Sequence, residues 1–239
     1  MYHPLAWQLA GTTATTQFSF SRGTLDLCQP DRGVRVTHPA LEGAGFFQIQ
    51  DCPSLDHVPP AEIDAYVREA DLIVNYASTP MRPNRLQLNW RLQRELPAGL
   101  QAACELIISV NTPQWHSDPR ITLETVLPAT LGCYQTDGMT ICEQAAGTYV
   151  QLAHPLDFFQ AHSYWTRDKE LTPAEVLATS AGGLAGTVVM RQPLFVNNLE
   201  KGVILRARLW AGWFAAGVDR QLILAQRDHF ANSALVLTA

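Results

Sequence analysis

One short segment, His162-Ser163-Tyr164-Trp165, combines residue types that could act on a small molecule. An imidazole titrates near neutrality, so His162 is a candidate general acid or base. The two aromatic rings that follow it could stack on the face of a cyclic ligand such as a sugar. Most histidines are not catalytic, however, so the same residues also fit a loop histidine beside core or rim aromatics. The residues alone leave both hypotheses open.

A second candidate group pairs an imidazole with a carboxylate, His154 and Asp157. Such a pair could orient each other or supply part of a metal site. Metal sites need three or four ligands, and neither His nor Cys is clustered elsewhere in the sequence. The pattern therefore favours a loop held by Asx-type hydrogen bonds. We predict no metal and no cofactor, and no sequence motif indicates a nucleophile elbow or a phosphate-binding loop.

The His162 segment also resembles the Asn-His-x-Tyr-Phe/Trp segment of the aldose 1-epimerases, the galactose mutarotase family. The resemblance implies a β-supersandwich in which this histidine is the general acid. It further implies a general base, for which Glu200 is the candidate, and a sugar-binding arginine on an earlier strand, for which Arg85 is the candidate. Ala161 stands where the family has asparagine, so the resemblance supports the fold more than the activity.

The predicted site follows from these segments together. Its catalytic candidates are His162 and Glu200, and its substrate-binding candidates are Arg85, Tyr164, Trp165 and Asp157. The preferred function is a carbohydrate-binding protein of the galactose mutarotase-like type, without catalysis, because a fold does not carry an activity with it. The alternatives are a non-enzymatic protein-interaction or structural β-sandwich and an active aldose 1-epimerase-like isomerase.

Strands must position these residues, because apolar and polar side chains alternate along much of the chain. The alternation is clearest over residues 72–76, 85–92 and 121–127. A period of two is typical of antiparallel strands with one buried face. The sequence predicts an all-β supersandwich of two large, mainly antiparallel sheets with one or two short helices, in a single domain over 1–239. Asp137-Gly138 predicts a hairpin turn between 131–135 and 139–143.

Two segments have helical features. Residues 60–69 start with proline, carry acidic residues in the first turn and repeat Ile63, Tyr66 and Val67 at helical spacing, which predicts a short helix. Residues 218–230 fit either a strand, through Leu222 and Leu224, or a helix capped by Asp219. The good helix formers in the second segment favour the helix.

Composition excludes several classes of partner. The net charge is −5, and no basic tract is present, which argues against nucleic-acid binding. The arginines of 82–94 predict solvated faces; they are Arg82, Arg85, Arg91 and Arg94. No apolar stretch is long enough to span a bilayer, so the sequence predicts a cytoplasmic protein without a membrane partner. Only 16% of residues are charged, which fits a large interior or a homo-oligomer.

Two further patterns bear on the surface and the compartment. The five cysteines are odd in number and irregular in spacing, which predicts reduced, mostly buried thiols. The aromatic stripe of Trp210, Trp213 and Phe214 alternates in parity, so we expect at least one of these rings to be exposed, in a binding site or a dimer contact.

Overall fold

The computed structural model describes residues 5–52, 55–136, 138–155, 164–167, 186–195 and 199–234. Its first layer is a four-stranded antiparallel sheet in sequence order. The strands are β1 (Gln8–Ala10), β2 (Thr13–Gln17), β3 (Arg22–Asp26) and β4 (Arg35–Thr37). Prolines open short 3-10 turns at Pro30–Arg32 and Pro39–Leu41, before β4 and before the next strand. A bridge between Val34 and Phe46 connects this layer to β5 (Gly45–Gln50).

The second layer belongs to an eleven-stranded sheet in which every pairing is antiparallel. Besides β5, its strands are β6 (Ile63–Arg68), β7 (Asp71–Tyr76), β8 (Arg85–Leu92), β9 (Leu100–Asn111), β11 (Ile121–Thr136), β12 (Met139–Gln144), β13 (Gly147–Ala153), β14 (Tyr164–Arg167), β15 (Gly186–Leu194) and β17 (Ile204–Phe214). A separate ribbon pairs β10 (His116–Ser117) with β16 (Leu199–Glu200). The order is β14-β15-β11-β12-β13-β17-β9-β8-β7-β6.

The core fills the space between the two layers. Trp7, Leu25 and Leu27 from the N-terminal part share one buried cluster with Trp90 and Tyr76 of the large sheet. Trp7 Nε1 donates a hydrogen bond to the Trp90 carbonyl (2.9 Å), and the Tyr76 hydroxyl donates to the Leu27 carbonyl (3.0 Å). The predicted all-β sandwich with large antiparallel sheets is confirmed.

Strand β11 changes partner along its length. Its first half lies between β15 and β5, and its second half pairs with β12 beyond an irregularity between Leu127 and Thr130. The predicted hairpin follows at its end, where Thr136 faces Met139 and Gly138 has a φ of 75°. Glycine tolerates this left-handed conformation without a steric cost, as a tight two-residue turn requires.

The two helix predictions have opposite outcomes. Helix α1 (Arg220–Ala231) confirms the prediction for 218–230, and Asp219 Oδ1 accepts a hydrogen bond from the Gln221 backbone N–H (2.9 Å). The helix predicted over 60–69 is wrong. A 3-10 turn at Pro60–Glu62 leads directly into β6, where inward and exposed side chains alternate. Pairing with β7 buries Ile63, Ala65 and Val67 on one face, and this burial outweighs a weak helical spacing.

Three expectations about the surface need correction. Arg82 is only 2% exposed, so it does not belong to a solvated face. Trp210, Trp213 and Phe214 are all buried, because Trp213 faces the core between the layers while the other two pack under α1. The predicted exposed ring is therefore absent from this stripe. The five cysteines are free, and only Cys142 is fully buried. Within the described residues, no helix has the length and apolar character needed to cross a bilayer.

Candidate functional site

The outer face of the large sheet is polar over β6 to β9 and β17. Along β8, Leu86, Leu88 and Trp90 face the core, so the residues between them face outward. Those outward residues are Arg85, Gln87, Asn89 and Arg91. Because successive side chains alternate between the two faces, the inward apolar set fixes this outward polar set.

The strand register aligns polar residues from five neighbouring strands into one row. Asp64, Asn75, Gln87, Ser109 and Arg206 lie opposite one another in turn across β6, β7, β8, β9 and β17. Asn75 Nδ2 donates to Asp64 Oδ2 (3.3 Å), and Gln87 Nε2 donates to Asn75 Oδ1 (2.8 Å). Arg206 Nε donates to Ser109 Oγ (3.1 Å). We call this set the polar row, and its hydrogen bonds hold the side chains in position.

The polar row forms the floor of an open cleft of about 530 Å³. A second register line, Arg85–Asn111–Ile204, crosses β8, β9 and β17 next to the row and also lines the cleft. The Arg85 side chain is exposed, and no hydrogen bond or ion pair to it is found among the described residues. The cleft therefore presents an unengaged guanidinium beside a fixed set of amide, hydroxyl and carboxylate groups.

A salt bridge between buried Arg82 and partly exposed Glu62 supports one wall of this cleft. Arg82 Nη2 lies 2.9 Å from Glu62 Oε2, and the same guanidinium donates to the Ala77 carbonyl (2.8 Å). Its Cζ lies 5.9 Å from the centre of the Tyr76 ring. Burial raises the pKa of the Tyr76 phenol, with nearby Cys28 adding to the effect, so this ring stays neutral. Glu62, Tyr76 and Ala77 line the cleft, so Arg82 holds these three lining residues in position through its contacts with them.

The other end of the same outer face carries charges that pair completely. Asp71, Arg91, Glu105 and Arg208 form a chain of alternating charge across β7, β8, β9 and β17, which we call the charge chain. Arg91 Nε is 2.8 Å from Asp71 Oδ1, and Arg91 Nη1 is 3.6 Å from Glu105 Oε2. Arg208 Nε is 2.7 Å from Glu105 Oε1. The hydrogen bonds that Arg91 donates to the Asp71 carboxylate raise the pKa of Arg91.

Helix α1 covers this charged end. Arg208 is 2% exposed, and its Nη2 donates to Ser233 Oγ (2.7 Å) just beyond the helix. Phe230 lies against the Arg208 guanidinium (5.1 Å) and meets the ring of His154 edge-on (5.3 Å). The charge chain is mostly buried and internally paired, so it presents no unengaged charge to a ligand.

The structure brings only part of the predicted site to the cleft. Arg85 lines it. Glu200 is exposed and lies opposite His116 in the ribbon of β10 and β16. This ribbon is anchored next to Arg85, because Ser117 Oγ donates to Asn84 Oδ1 (2.8 Å).

The remaining predicted residues lie elsewhere or are not described. Tyr164 and Trp165 belong to β14, and six strands separate β14 from β8 in the sheet order. His162 and Asp157 lie outside the described residues. His154 is buried beneath Phe230. No group of three metal-ligating side chains occurs in the described part of the chain. The roles of the predicted catalytic and substrate-binding residues stay predictions.

Most of the polar row was missed by the sequence reasoning. The alternation over 85–92 correctly places Arg85 and Gln87 on one face, and the same rule applies to Ser109 and Arg206 on their strands. What the sequence does not state is the register that sets these strands side by side. The contacts that join β9 to β17 span about a hundred residues of sequence, as the pairing of Ser109 with Arg206 shows.

No protein-family model matches the chain, and no curated protein is significantly similar to it in sequence. Solved structures do share its fold. A "putative mutarotase" from Salmonella typhimurium is 8% identical with a TM-score of 0.50, over 89% of this chain and 94% of that one. Heparan sulfate lyase HepC from Pedobacter heparinus is 9% identical with a TM-score of 0.50, over 90% of this chain and 37% of that one. At these identities the likeness shows the fold alone, and for the fold it confirms the predicted resemblance to mutarotase structures.

Proposed function

We propose that the chain binds a carbohydrate in the cleft above the polar row, without catalysing a reaction on it. The observation that supports this proposal is the unengaged Arg85 guanidinium beside a hydrogen-bonded row of Asn, Gln, Ser, Asp and Arg side chains. The shared fold with a mutarotase-named structure agrees with a carbohydrate ligand, although a fold alone does not assign one.

The chemistry of the cleft matches that of sugar hydroxyls, which both donate and accept hydrogen bonds. Arg85, Arg206 and Asn111 supply donors, while Asp64 accepts. Because the polar row is already hydrogen-bonded, its side chains pay little conformational entropy when a ligand binds. A cleft of about 530 Å³ lies inside the range of about 300–1,000 Å³ that small-molecule sites occupy.

Binding rather than catalysis is the function that the described residues support. An epimerase mechanism needs an acid and a base that face one sugar ring within hydrogen-bond reach. Of the predicted catalytic pair, only Glu200 is described, and it is exposed on a ribbon outside the lining of the cleft. The polar row carries no histidine, and its single carboxylate, Asp64, already accepts a hydrogen bond from Asn75.

The test is a titration of the protein with D-glucose and D-galactose, followed by saturation-transfer NMR and calorimetry. We expect Arg85→Ala to weaken binding about tenfold or more, since a hydrogen bond to a charged group contributes about 1.5–3 kcal/mol. Arg94→Ala is the matched control, because Arg94 is also half-exposed and its only described ion pair is a loose one with Glu69 (3.8 Å). Equal binding by the wild type and Arg85→Ala would overturn the assignment of the cleft.

The isomerase alternative has its own measurement. NMR of freshly dissolved α-D-galactose follows the conversion of one anomer into the other. The proposal expects the spontaneous rate with and without protein. A rate enhancement that disappears in both Glu200→Gln and His162→Asn would instead establish catalysis and overturn the non-catalytic assignment.

A further inference from the structure

Trp115 is the most exposed large apolar side chain described in this protein, at 77%. The one ring contact described for it is with the Lys201 ammonium, which lies 5.1 Å from the ring centre. Exposed tryptophan is costly because its large apolar area meets water. Val203 and Ile204, at 44% and 57% exposure, extend this apolar surface along the chain that follows Lys201. Such a patch marks a surface that binds something.

The connections of the chain place this patch at the rim of the cleft. Strands β9 and β17 form part of the cleft floor through Asn111 and Ile204, which lie opposite each other. Trp115 comes four residues after Asn111, and Lys201 comes three residues before Ile204. Even a fully extended chain keeps Lys201 within about 11 Å of Ile204, and Trp115 within about 14 Å of Asn111. The backbone of Trp115 therefore lies within about 14 Å of Asn111, a residue that lines the cleft.

Three sets of contacts hold the backbone around Trp115 in place. The ribbon pairs His116 with Glu200 and Ser117 with Leu199, which fixes the two chain segments to each other. Leu199 is fully buried, and Ser117 Oγ donates to Asn84 Oδ1 (2.8 Å), immediately before Arg85. Gln114 is also fixed, since its backbone N–H donates to Thr112 Oγ1 (3.1 Å). Trp115 is therefore an exposed ring beside an anchored ribbon, with its backbone already in position before a ligand stacks on the ring.

We propose that Trp115 forms a second sugar subsite and that the ligand is an oligosaccharide chain rather than a single monosaccharide. This inference rests on the proposed function of the cleft. One sugar residue binds the polar row and Arg85 through its hydroxyls, and the next part of the chain stacks on the Trp115 ring. Aromatic rings bind the apolar faces of pyranoses, while the polar row recognises their hydroxyl edges.

The combination of surfaces supports a chain-like ligand. A monosaccharide that fills the hydrogen-bonding floor leaves the Trp115 surface in water, and one that stacks on Trp115 leaves Arg85 unsatisfied. A ligand of several linked rings engages both sites and gains the advantage of multivalent binding, because the second contact becomes intramolecular. Lys201 stays available beside the ring and can donate to a ring oxygen or hydroxyl.

The experiment compares D-glucose with cellotetraose, and D-galactose with β-1,4-galactotetraose, by calorimetry on the full chain. For at least one pair we expect the tetrasaccharide to bind about tenfold more tightly than its monosaccharide, which corresponds to about 1.4 kcal/mol. Trp115→Ala should reduce tetrasaccharide affinity to the monosaccharide level and leave monosaccharide binding unchanged. Trp115→Phe should keep most of the gain. Tyr134→Ala, which removes a partly exposed ring on β11, is the matched control and should change nothing.

The outcomes distinguish a failure of the Trp115 subsite from a failure of sugar binding in the cleft. If monosaccharides bind through Arg85 but the tetrasaccharides bind no better, the second subsite is wrong and the cleft assignment stands. If no saccharide binds, both are wrong. If Trp115→Ala weakens both ligands equally, Trp115 belongs to the first subsite. If sedimentation shows that the wild type self-associates and Trp115→Ala does not, the tryptophan is a contact between copies of the chain, which overturns the subsite.

Discussion

The two ends of one sheet face use the same strands for opposite purposes. At the end covered by α1, each of the four members of the charge chain has an oppositely charged partner. At the open end, the polar row bonds laterally but leaves Arg85 facing solvent. Strands β8, β9 and β17 contribute to both ends, so the difference arises from pairing and cover rather than from the type of element.

This comparison shows how to separate structural charges from functional ones. A buried ion pair costs much desolvation energy, so it survives only when its geometry is good and its remaining groups are satisfied. Arg208 meets that condition through Glu105 and Ser233. Arg85 does not need to, because water or a ligand satisfies it. Incomplete pairing, rather than the presence of charge, is the reason we propose the open end as the site.

Glu105→Gln should have the largest effect, because it leaves Arg208 buried without its counter-charge. Removing one partner of a buried pair costs about 3–5 kcal/mol, and we expect the free energy of unfolding to fall by that order. Urea denaturation measures it. Arg85→Ala at the open end should change stability by about 0.5 kcal/mol or less. If the two variants lose the same stability, the distinction between covered and open ends is lost.

Arg206→Ala should affect binding rather than folding. Arg206 belongs to the polar row and lines the cleft, while its neighbour on the same strand face, Arg208, belongs to the charge chain. We expect sugar affinity to fall about tenfold. Its unfolding midpoint in urea should stay close to that of the wild type. Calorimetry and denaturation on the same sample check both, and a large stability loss without a binding loss would place Arg206 with the structural charges.

Asp219→Ala tests whether helix α1 protects the charged end of the sheet face. Asp219 caps α1 by accepting from Gln221, and loss of such a cap costs about 1 kcal/mol. Hydrogen exchange should speed up in α1 and over the charge chain, while the polar row keeps its protection. Asp219→Asn, which keeps the capping oxygen, is the control. Equal changes at both ends of the face would mean that α1 does not selectively protect the covered end.

Two thiols that pack against the core, Cys52 just after β5 and Cys104 on β9, should differ in reactivity, and this is the smallest expected effect. Burial raises the pKa of Cys52, next to Arg82 and Asn84 near the open end, to about 11. Burial, reinforced by Glu105, raises the pKa of Cys104 further. The thiolate is the reactive form, so a higher pKa means slower alkylation. At pH 9.5, iodoacetamide should modify Cys52 before Cys104, as peptide mass spectrometry can follow. The reverse order would contradict the ranking.

The sequence predicted the strands well, but of the residues that line the cleft it singled out only Arg85 as a binding candidate. Alternation in 85–92 was sufficient to place Arg85 outward, and Asp219 with the helix formers behind it was sufficient for α1. The helix predicted for 60–69 was wrong because pairing with β7 makes this segment a strand. The solvated position predicted for Arg82 was wrong because its guanidinium is buried against Glu62, twenty positions earlier in the sequence. The polar row depends on register between distant strands, which local patterns do not encode.

The double pairing of β11 has a consequence for how the molecule folds. Because this strand joins β5 and β15 along one half and β12 along the other, the described strands of the large sheet are continuous only through it. The large sheet should therefore form and melt in a single cooperative step. The β9–β17 pairing closes a loop of about a hundred residues, so folding should also be slow, with most of the rate set by chain topology rather than by local propensity.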